Sequence, residues 1–227
     1  MLTKTSDYDS ISEKAYRRIR TDIIFGKLSP TEKLKLDRLR EDYGVSVGTL
    51  RELLSRLSSE GLVLAEGQRG FEVAPVSAQN LRELAELRLL LETHALAHSF
   101  AAGDMDWEGR VVSAHHKLAA TERRQQAGDR ADNETWKRYD FEFHHALISA
   151  CGSETLLEAQ APVFDKYLRY LMIAGIYRGE ITAREHEALL DCALKRDAAK
   201  ACALLKVHIE ACVDFTLTNG HYSFATR

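Results

Sequence analysis

The second half of this chain limits its fold most, because from Leu81 onward no strand pattern interrupts the helical periodicity. The breaks are short and polar or glycine-containing, and the whole chain has only 3 Pro. Long helices with short connections favour an antiparallel bundle. Thr182 and Glu185 have capping-box spacing, and Asp197 is placed to cap the last helix. We predict six helices, at about residues 78–102, 106–124, 133–150, 154–177, 183–195 and 198–218.

The first part of the chain has shorter helical stretches. Ser10 and Glu13 have capping-box spacing at the start of the first stretch. Gly44 ends the second stretch, and Ser46 is placed to cap the third after a tight turn. The three helices are predicted at about residues 10–25, 36–43 and 47–59. Two short helices that flank a tight turn are typical of a helix-turn-helix.

A small hairpin follows these helices. Residues 62–65 and 71–74 have strand character and surround a glycine-flanked tip. The order of elements predicts a winged helix-turn-helix in residues 1–76 and an all-α domain in residues 77–227. The expected fold class is therefore mostly α, with an N-terminal winged helix-turn-helix and a C-terminal antiparallel bundle of about six helices.

Composition indicates a reduced, cytoplasmic chain. None of the 4 Cys forms a Cys-x-x-Cys pair, and the N-terminus has no apolar signal core. No uncharged apolar run approaches the roughly 20 residues that a bilayer span needs, so we expect no membrane association. The net charge of -3 does not by itself indicate nucleic-acid binding, since clustering of cations matters more than their sum.

The third helix is the candidate DNA-reading element. Four leucines at helical spacing predict its buried face, and the outward face carries Thr49, Arg51, Glu52, Ser55 and Arg56. An exposed helix with hydrogen-bond donors fits the major groove, where Arg binds guanine or phosphate. The alternative is a solvated amphipathic helix, but the succession of helices and hairpin favours DNA binding.

This first part resembles the GntR family of bacterial transcription regulators. The resemblance lies in the segment from Tyr43 to Leu57, in Glu60-Gly61-Leu62-Val63 and in the wing Gly67-Gln68-Arg69-Gly70-Phe71. The chain has Val-Gly-Thr at residues 47–49, where the commonest family pattern has Arg-Thr-Pro. We assign DNA contacts to Lys35, Thr49, Arg51, Arg56, Arg69 and Gly70.

Four residues of the helical part have the types and positions of a metal site. Asp140 and His144 lie at i and i+4, and His186 and His208 lie on two other predicted helices. Each is on an otherwise apolar stripe, so three nitrogens and one oxygen can meet inside the bundle. Such a site suits zinc first, with nickel or manganese as alternatives. Hydrogen-bonded core histidines are the competing interpretation.

Other histidines have a weaker pattern. His94 and His98 also lie at i and i+4, but no carboxylate partner is evident, and His115-His116 are adjacent residues that diverge on a helix. We interpret them as solvated or structural.

The helical part resembles the FCD effector domain of the FadR subfamily. The resemblance rests on Glu86-Leu87-Arg88, on residues 140–147, on Glu185-His186-Glu187-Ala188-Leu189-Leu190, on Lys195-Arg196-Asp197 and on His208-Ile209. In that family an Asp and three His bind a metal, and the matching residues here are Asp140, His144, His186 and His208.

The resemblance also implies a small organic acid as effector. Arg88 interrupts an apolar stripe, so its guanidinium is expected inside the bundle, where it pairs with an internal carboxylate or captures the effector's carboxylate. Arg169 is the second effector candidate, with a surface position as the alternative.

The leading hypothesis is a transcription regulator, of the repressor type, that binds double-stranded operator DNA as a homodimer. A carboxylic acid at the metal site would modulate its operator affinity. The alternatives are a direct metal sensor without an organic ligand and a helical metalloenzyme. We expect no enzymatic activity, because no partnered nucleophile or general base emerges from the spacing.

Overall fold

The computed structural model describes residues 10–65, 67, 70–128, 133–174 and 178–220. Most of this part of the chain is helical, and a two-stranded hairpin follows the third helix. The helices are α1 (Ile11–Ile24), α2 (Leu36–Tyr43), α3 (Val47–Ser59), α4 (Ala78–Ala102), α5 (Met105–Gln126), α6 (Asn133–Ile148), α7 (Glu154–Ala174), α8 (Glu180–Leu194) and α9 (Ala198–Asn219); the strands are β1 (Val63–Ala65) and β2 (Phe71–Val73). The predicted fold class is confirmed.

The short helices begin and end where the sequence predicts. The Ser10 hydroxyl accepts a hydrogen bond from the backbone N–H of Glu13, and Ser46 caps α3 in the same way through Thr49. Gly44 ends α2 with a left-handed φ of 67°, a conformation that glycine adopts without steric cost. α1, α2, α3 and the hairpin enclose one apolar core, to which the buried leucines of α3 belong.

The wing has one partner that the sequence did not reveal. β1 and β2 pair antiparallel, with Val63 opposite Val73. The segment between α1 and α2 runs along the other edge of β2, where Leu34 N–H donates to the Phe71 carbonyl and Thr31 N–H to the Val73 carbonyl. The sequence predicts no helix or strand for this segment. The segment instead ties the wing to the helices.

Helices α4 to α9 form the second core, which includes Trp107, Phe143 and Tyr167. Asp197 caps α9 through the N–H of Lys200, as predicted. The predicted capping box at Thr182 and Glu185 is wrong, because α8 already begins at Glu180 and follows Gly179. Thr182 is therefore inside the helix, and the Glu185 side chain is free to act elsewhere. None of the described helices has the length and apolarity of a bilayer span.

Helix α7 joins the two parts of the molecule. Arg20 of α1 donates to Asp165 of α7 at 2.7 Å, and Ile24 packs against Phe164 and Leu168. Arg169, one turn further along α7, donates to the backbone carbonyl of Ala74, just after the wing. A polar and an apolar contact of α7 thus hold the N-terminal helices on the bundle.

Candidate metal centre and DNA-reading helix

Three buried histidines meet at the centre of the bundle. α6 carries His144, α8 carries His186 and α9 carries His208, and at most 4% of each residue is exposed. Their ring centroids lie 5.0–5.5 Å apart, and one ligand nitrogen from each lies within 4.8 Å of the others. Each histidine points inward because it shares the apolar face of its helix. The structure brings together the three imidazoles that the sequence predicts.

Asp140 adds an oxygen atom to this cluster. It is buried one turn before His144 on α6, and its Oδ1 lies 3.4 Å from His186 Nε2 and 4.0 Å from His144 Nε2. Burial raises the pKa of this carboxyl, but Lys137 and His186 outweigh burial and hold the pKa below its usual value. Asp140 is therefore ionised at neutral pH, as a metal ligand must be.

Two glutamates that sequence reasoning missed orient the imidazoles. Glu122 of α5 lies 2.7 Å from His186 Nδ1, and Glu185 of α8 lies 2.7 Å from His208 Nδ1. A carboxylate on one ring nitrogen fixes the imidazole so that the other nitrogen faces the centre. The sequence contained no direct signal for Glu122, because 64 residues separate it from His186.

The free ring nitrogens fit a metal ion. His144 Nε2 and His186 Nε2 are buried and have no hydrogen-bond partner among the described residues, and an unpaired buried nitrogen is costly. Burial also lowers the pKa of His144 well below its ordinary value, and that of His208 to about 4. Both imidazoles are therefore neutral at pH 7, the state in which histidine binds metals.

Arg88 lies beside the cluster and is 2% exposed. Its Nε donates to Glu92 at 2.8 Å, and its guanidinium lies over the Phe164 and Tyr167 rings. Glu92 also accepts a hydrogen bond from Gln160. The internal carboxylate that the sequence leaves open as Arg88's partner is thus Glu92, one helical turn away. The guanidinium has further N–H groups for a second anion.

A narrow cavity of about 20 Å³ extends from the cluster toward α7 and α9. Its wall contains three cationic side chains, from Arg88, Lys137 and Arg178, together with Asp140 and His208. This volume holds about one water molecule. Arg169, the second effector candidate, is not among the residues of this wall, and its guanidinium contacts Ala74 instead.

The outward face of α3 carries two exposed arginines, Arg51 and Arg56. Arg51 is exposed and makes no ion pair within the described part of the chain. Arg56 is 53% exposed, pairs with Glu13 at 3.0 Å and lies over the Tyr16 ring. The Thr49 hydroxyl lies 2.9 Å from the Ser46 hydroxyl at the start of the helix.

The remaining predicted DNA contacts surround α3. Lys35 is exposed directly before α2. Gly70 lies directly before β2, the return strand of the wing, with a φ of 96°, which few other residues adopt. Arg69 lies outside the described residues.

A helix-turn-helix with a wing, joined to a helical domain with a buried histidine cluster, defines a class of two-part DNA-binding regulators. Residues 11–73 match the family described as bacterial regulatory proteins, gntR family, and residues 83–211 match the FCD domain. The chain belongs to the GntR family of transcriptional regulators and carries an FCD domain.

Relatives support this membership over most of the chain. It is 37% identical over 206 residues to BphR, an HTH-type transcriptional regulator of Paraburkholderia xenovorans, covering 90% of this chain and 84% of that protein. It is 33% identical over 202 residues to the transcriptional repressor GlaR of Escherichia coli, covering 86% and 90%. A GntR regulator of Rhodococcus sp. RHA1 has the same fold, with a TM-score of 0.76 and 22% identity over 95% of this chain and 100% of that chain.

The family defines the general activity. The chain is a DNA-binding transcriptional regulator and not an enzyme, because the matched gntR family and the relatives are transcriptional regulators. Some FCD domains bind a metal ion, and one solved FCD domain, 21% identical over 64% of this chain with a TM-score of 0.53, is described as metal-free.

Proposed function

We propose that this regulator is a repressor whose operator affinity depends on a small carboxylic acid bound at a metal centre. One observation carries the proposal: three buried imidazoles converge with an ionised Asp140, and Asp140 and His208 share the wall of one cavity with Arg88. GlaR, the Escherichia coli relative named as a repressor, supports repression rather than activation. The regulator acts in the cytoplasm, where bacterial DNA lies.

Asp140, His144, His186 and His208 would hold the ion, with zinc as the first choice and nickel or manganese as alternatives. Three nitrogens and one oxygen suit each of these metals. A bound ion would supply a Lewis-acidic position for one carboxylate of the ligand. Arg88 would bind a carboxylate oxygen through its remaining N–H groups while Glu92 holds its orientation.

Helix α7 is the proposed connection between ligand and DNA. Tyr167 and Leu171 of α7 line the cavity, and Asp165 and Arg169 of the same helix contact the N-terminal part. A ligand that displaces α7 would therefore change the contacts that position α3. The operator affinity and the ligand affinity must then change by the same factor.

DNA recognition is proposed to involve Arg51 in the major groove, with Lys35, Thr49, Arg56 and Gly70 at neighbouring bases or phosphates. A single helix reads few base pairs, so we propose a homodimer on a pseudo-palindromic operator. We place the boundary between the DNA-binding domain and the FCD domain between residues 76 and 77.

The DNA proposal is tested by fluorescence anisotropy with operator fragments selected from random DNA. Arg51→Ala is expected to weaken specific binding about 10- to 100-fold, since a bidentate arginine contact contributes roughly 1–3 kcal/mol. Arg82→Ala, an exposed arginine on α4, is the control and should bind as the wild type does. Equal affinities for Arg51→Ala and wild type would contradict the assignment.

The ligand proposal is tested with His186→Ala. Elemental analysis should show loss of the ion, and operator binding without ligand should remain close to wild type. A thermal-shift screen of organic acids should raise the melting temperature of metal-loaded wild type but not of the variant. If His186→Ala and His208→Ala retain wild-type metal content, the proposed ligand set is incorrect.

The cavity volume also supports a second candidate, a direct metal sensor. About 20 Å³ holds a single water-sized group, so an ion alone fits without movement of the helices, whereas an organic acid needs more space. Operator binding with and without a chelator, in the absence of organic acids, separates the two functions. A metal sensor changes its DNA affinity in that experiment, and the acid-responsive regulator does not.

A further inference from the structure

The buried centre leaves a second group of histidines unused. His94 and His98 lie one turn apart on α4, and both are exposed. Their ring centroids are 4.7 Å apart, which is closer than the 5.0–5.5 Å that separates the buried rings. Within the described part of the chain, neither ring has a hydrogen-bond or ion-pair partner. Two imidazoles at i and i+4 on one face can bind the same ion.

This pair supplies only half of a zinc coordination shell. Zinc in a closed protein site has four ligands in a tetrahedron. Among the described residues, the buried trio is the one cluster of three or more His, Cys, Asp or Glu side chains with metal-ligand spacing. No third His, Cys, Asp or Glu side chain of the described residues therefore joins His94 and His98. Water or another molecule can supply the remaining ligands.

The same face of α4 carries exposed apolar residues. Leu87 is 42% exposed and Leu90 is 66% exposed, while the small residues Ala97 and Ala101 follow further along the helix. Large apolar side chains next to a histidine pair favour cover by a second protein surface. Leucines at one end and alanines at the other make this face complementary to itself when two helices run antiparallel.

We propose that His94 and His98 of two copies of the chain form a four-imidazole site for a late transition-metal ion. A two-fold axis at the level of Leu96 brings His94 opposite the second copy's His98, and Leu90 opposite an alanine at position 102. An isologous contact of this kind uses each ligand twice. The site is distinct from the buried centre and does not depend on the proposed effector response.

The test is sedimentation of the full chain over a dilution series, with zinc and with EDTA. Zinc is expected to lower the dissociation constant of self-association about tenfold or more, because it binds only the associated form with four ligands. Titration should show one zinc ion per two chains at this site. In His94→Ala/His98→Ala, both effects should disappear; the two side chains are exposed, so the variant should fold normally.

Two further variants separate this site from other histidines. His116→Ala removes an exposed histidine from α5 and should retain the zinc effect. His186→Ala removes a ligand of the buried centre and should also retain it. The proposal is overturned if zinc leaves wild-type association unchanged, if the double variant responds as wild type does, or if the pair binds one ion per chain.

Discussion

At the scale of single residues, Glu122 and Glu185 decide how the buried imidazoles point. Each carboxylate lies 2.7 Å from the Nδ1 atom of a histidine, and the opposite nitrogen of that histidine then faces the centre. The rings are therefore oriented by the protein itself. A carboxylate in this position also increases the basicity of the ligating nitrogen.

Glu122→Gln is expected to weaken metal binding about 10- to 100-fold, because a neutral amide holds and polarises His186 less well than a carboxylate does. The amide has nearly the same size, so the helices should still pack. Competition with a chelator of known affinity measures the change. The control is Glu142→Gln, which alters a half-exposed glutamate of α6 that pairs with Lys117. Equal losses in both variants would contradict a specific role of Glu122.

The stability of the metal-free protein should fall in mild acid because of His208. Burial lowers its pKa to about 4, whereas the unfolded imidazole has a pKa near 6.5. Between these values the unfolded chain binds more protons than the folded chain does, so stability decreases as the pH falls from about 6.5 to about 4. The expected loss from this residue is on the order of 3 kcal/mol.

Urea unfolding of the metal-free protein at several pH values measures this dependence, and His208→Gln should make it shallower. Glu185 affects stability over a lower pH range. Hydrogen bonds from His208 and Arg178 outweigh burial and lower its pKa to about 2, so the stability that Glu185 contributes is lost only below about pH 4.5. A free energy of unfolding that stays constant from pH 7 to pH 4.5 would contradict the interpretation.

Sequence spacing predicts which side chains point inward, but not which partners they meet. Asp140 and His144 are on one helix, so their common face follows from the period of the helix. Glu122 reaches His186 only because α5 packs against α8, and no local pattern encodes that contact. The ion-pair partner of Arg56 was equally hidden from the sequence. Its position on α3 predicts a DNA contact, whereas the packing of α3 on α1 also brings its guanidinium to Glu13.

At the scale of the helices, the junction of α4 and α5 depends on the absence of a side chain. A Cβ atom on Gly103 would lie 2.6 Å from the Trp107 ring and 2.6 Å from Arg196 Nη1. Trp107 is completely buried and donates to the Ala146 carbonyl. The indole therefore has little room to move.

Gly103→Ala is expected to destabilise the protein by about 1–3 kcal/mol, because the added methyl group overpacks the indole. Chemical denaturation measures the loss. Gly109→Ala is the matched control: it lies inside α5 with no atom within 4 Å of the added Cβ, so it should stabilise the protein by about 0.5–1 kcal/mol. Stabilisation by both substitutions would contradict this prediction, because it would show that the Trp107 indole moves to make room for the added methyl group.

Helix ends were predictable where one side chain makes the cap. Ser10, Ser46 and Asp197 are close in sequence to the N–H groups that they bind, so the sequence contains the whole interaction. Thr182 has the same spacing and is nevertheless inside α8, because its backbone continues a helix that begins at Glu180. The edge contact of Thr31 and Leu34 with the wing depends on long-range pairing, which residue spacing does not report.

At the scale of the whole molecule, α7 belongs to the core of the bundle and also packs against Ile24 of α1. Its Asp165 side chain is 5% exposed and pairs with Arg20, which is 14% exposed and also pairs with Glu60. An ion pair so far removed from water is costly to break from one side. The contact is therefore a firm link between the DNA-binding domain and the FCD domain.

Asp165→Asn is expected to loosen this link at a cost of about 1–3 kcal/mol, since Arg20 loses a charged partner in a desolvated position. Amide hydrogen exchange should become faster in α1 than in α9. In the proposed regulator, the ligand should also change operator affinity less than it does in wild type. Glu158→Gln, an exposed position on α7, is the control. Unchanged exchange in α1 would contradict the role of the ion pair.

The size of the central cavity has a kinetic consequence. If the regulator binds an organic acid as proposed, the acid is larger than the space of about 20 Å³ that the closed bundle provides, and its association would have to wait for the helices to separate. The observed rate would then reach a plateau as the acid concentration increases, at the frequency of spontaneous opening. Such a sensor would average over brief fluctuations in the supply of its signal molecule.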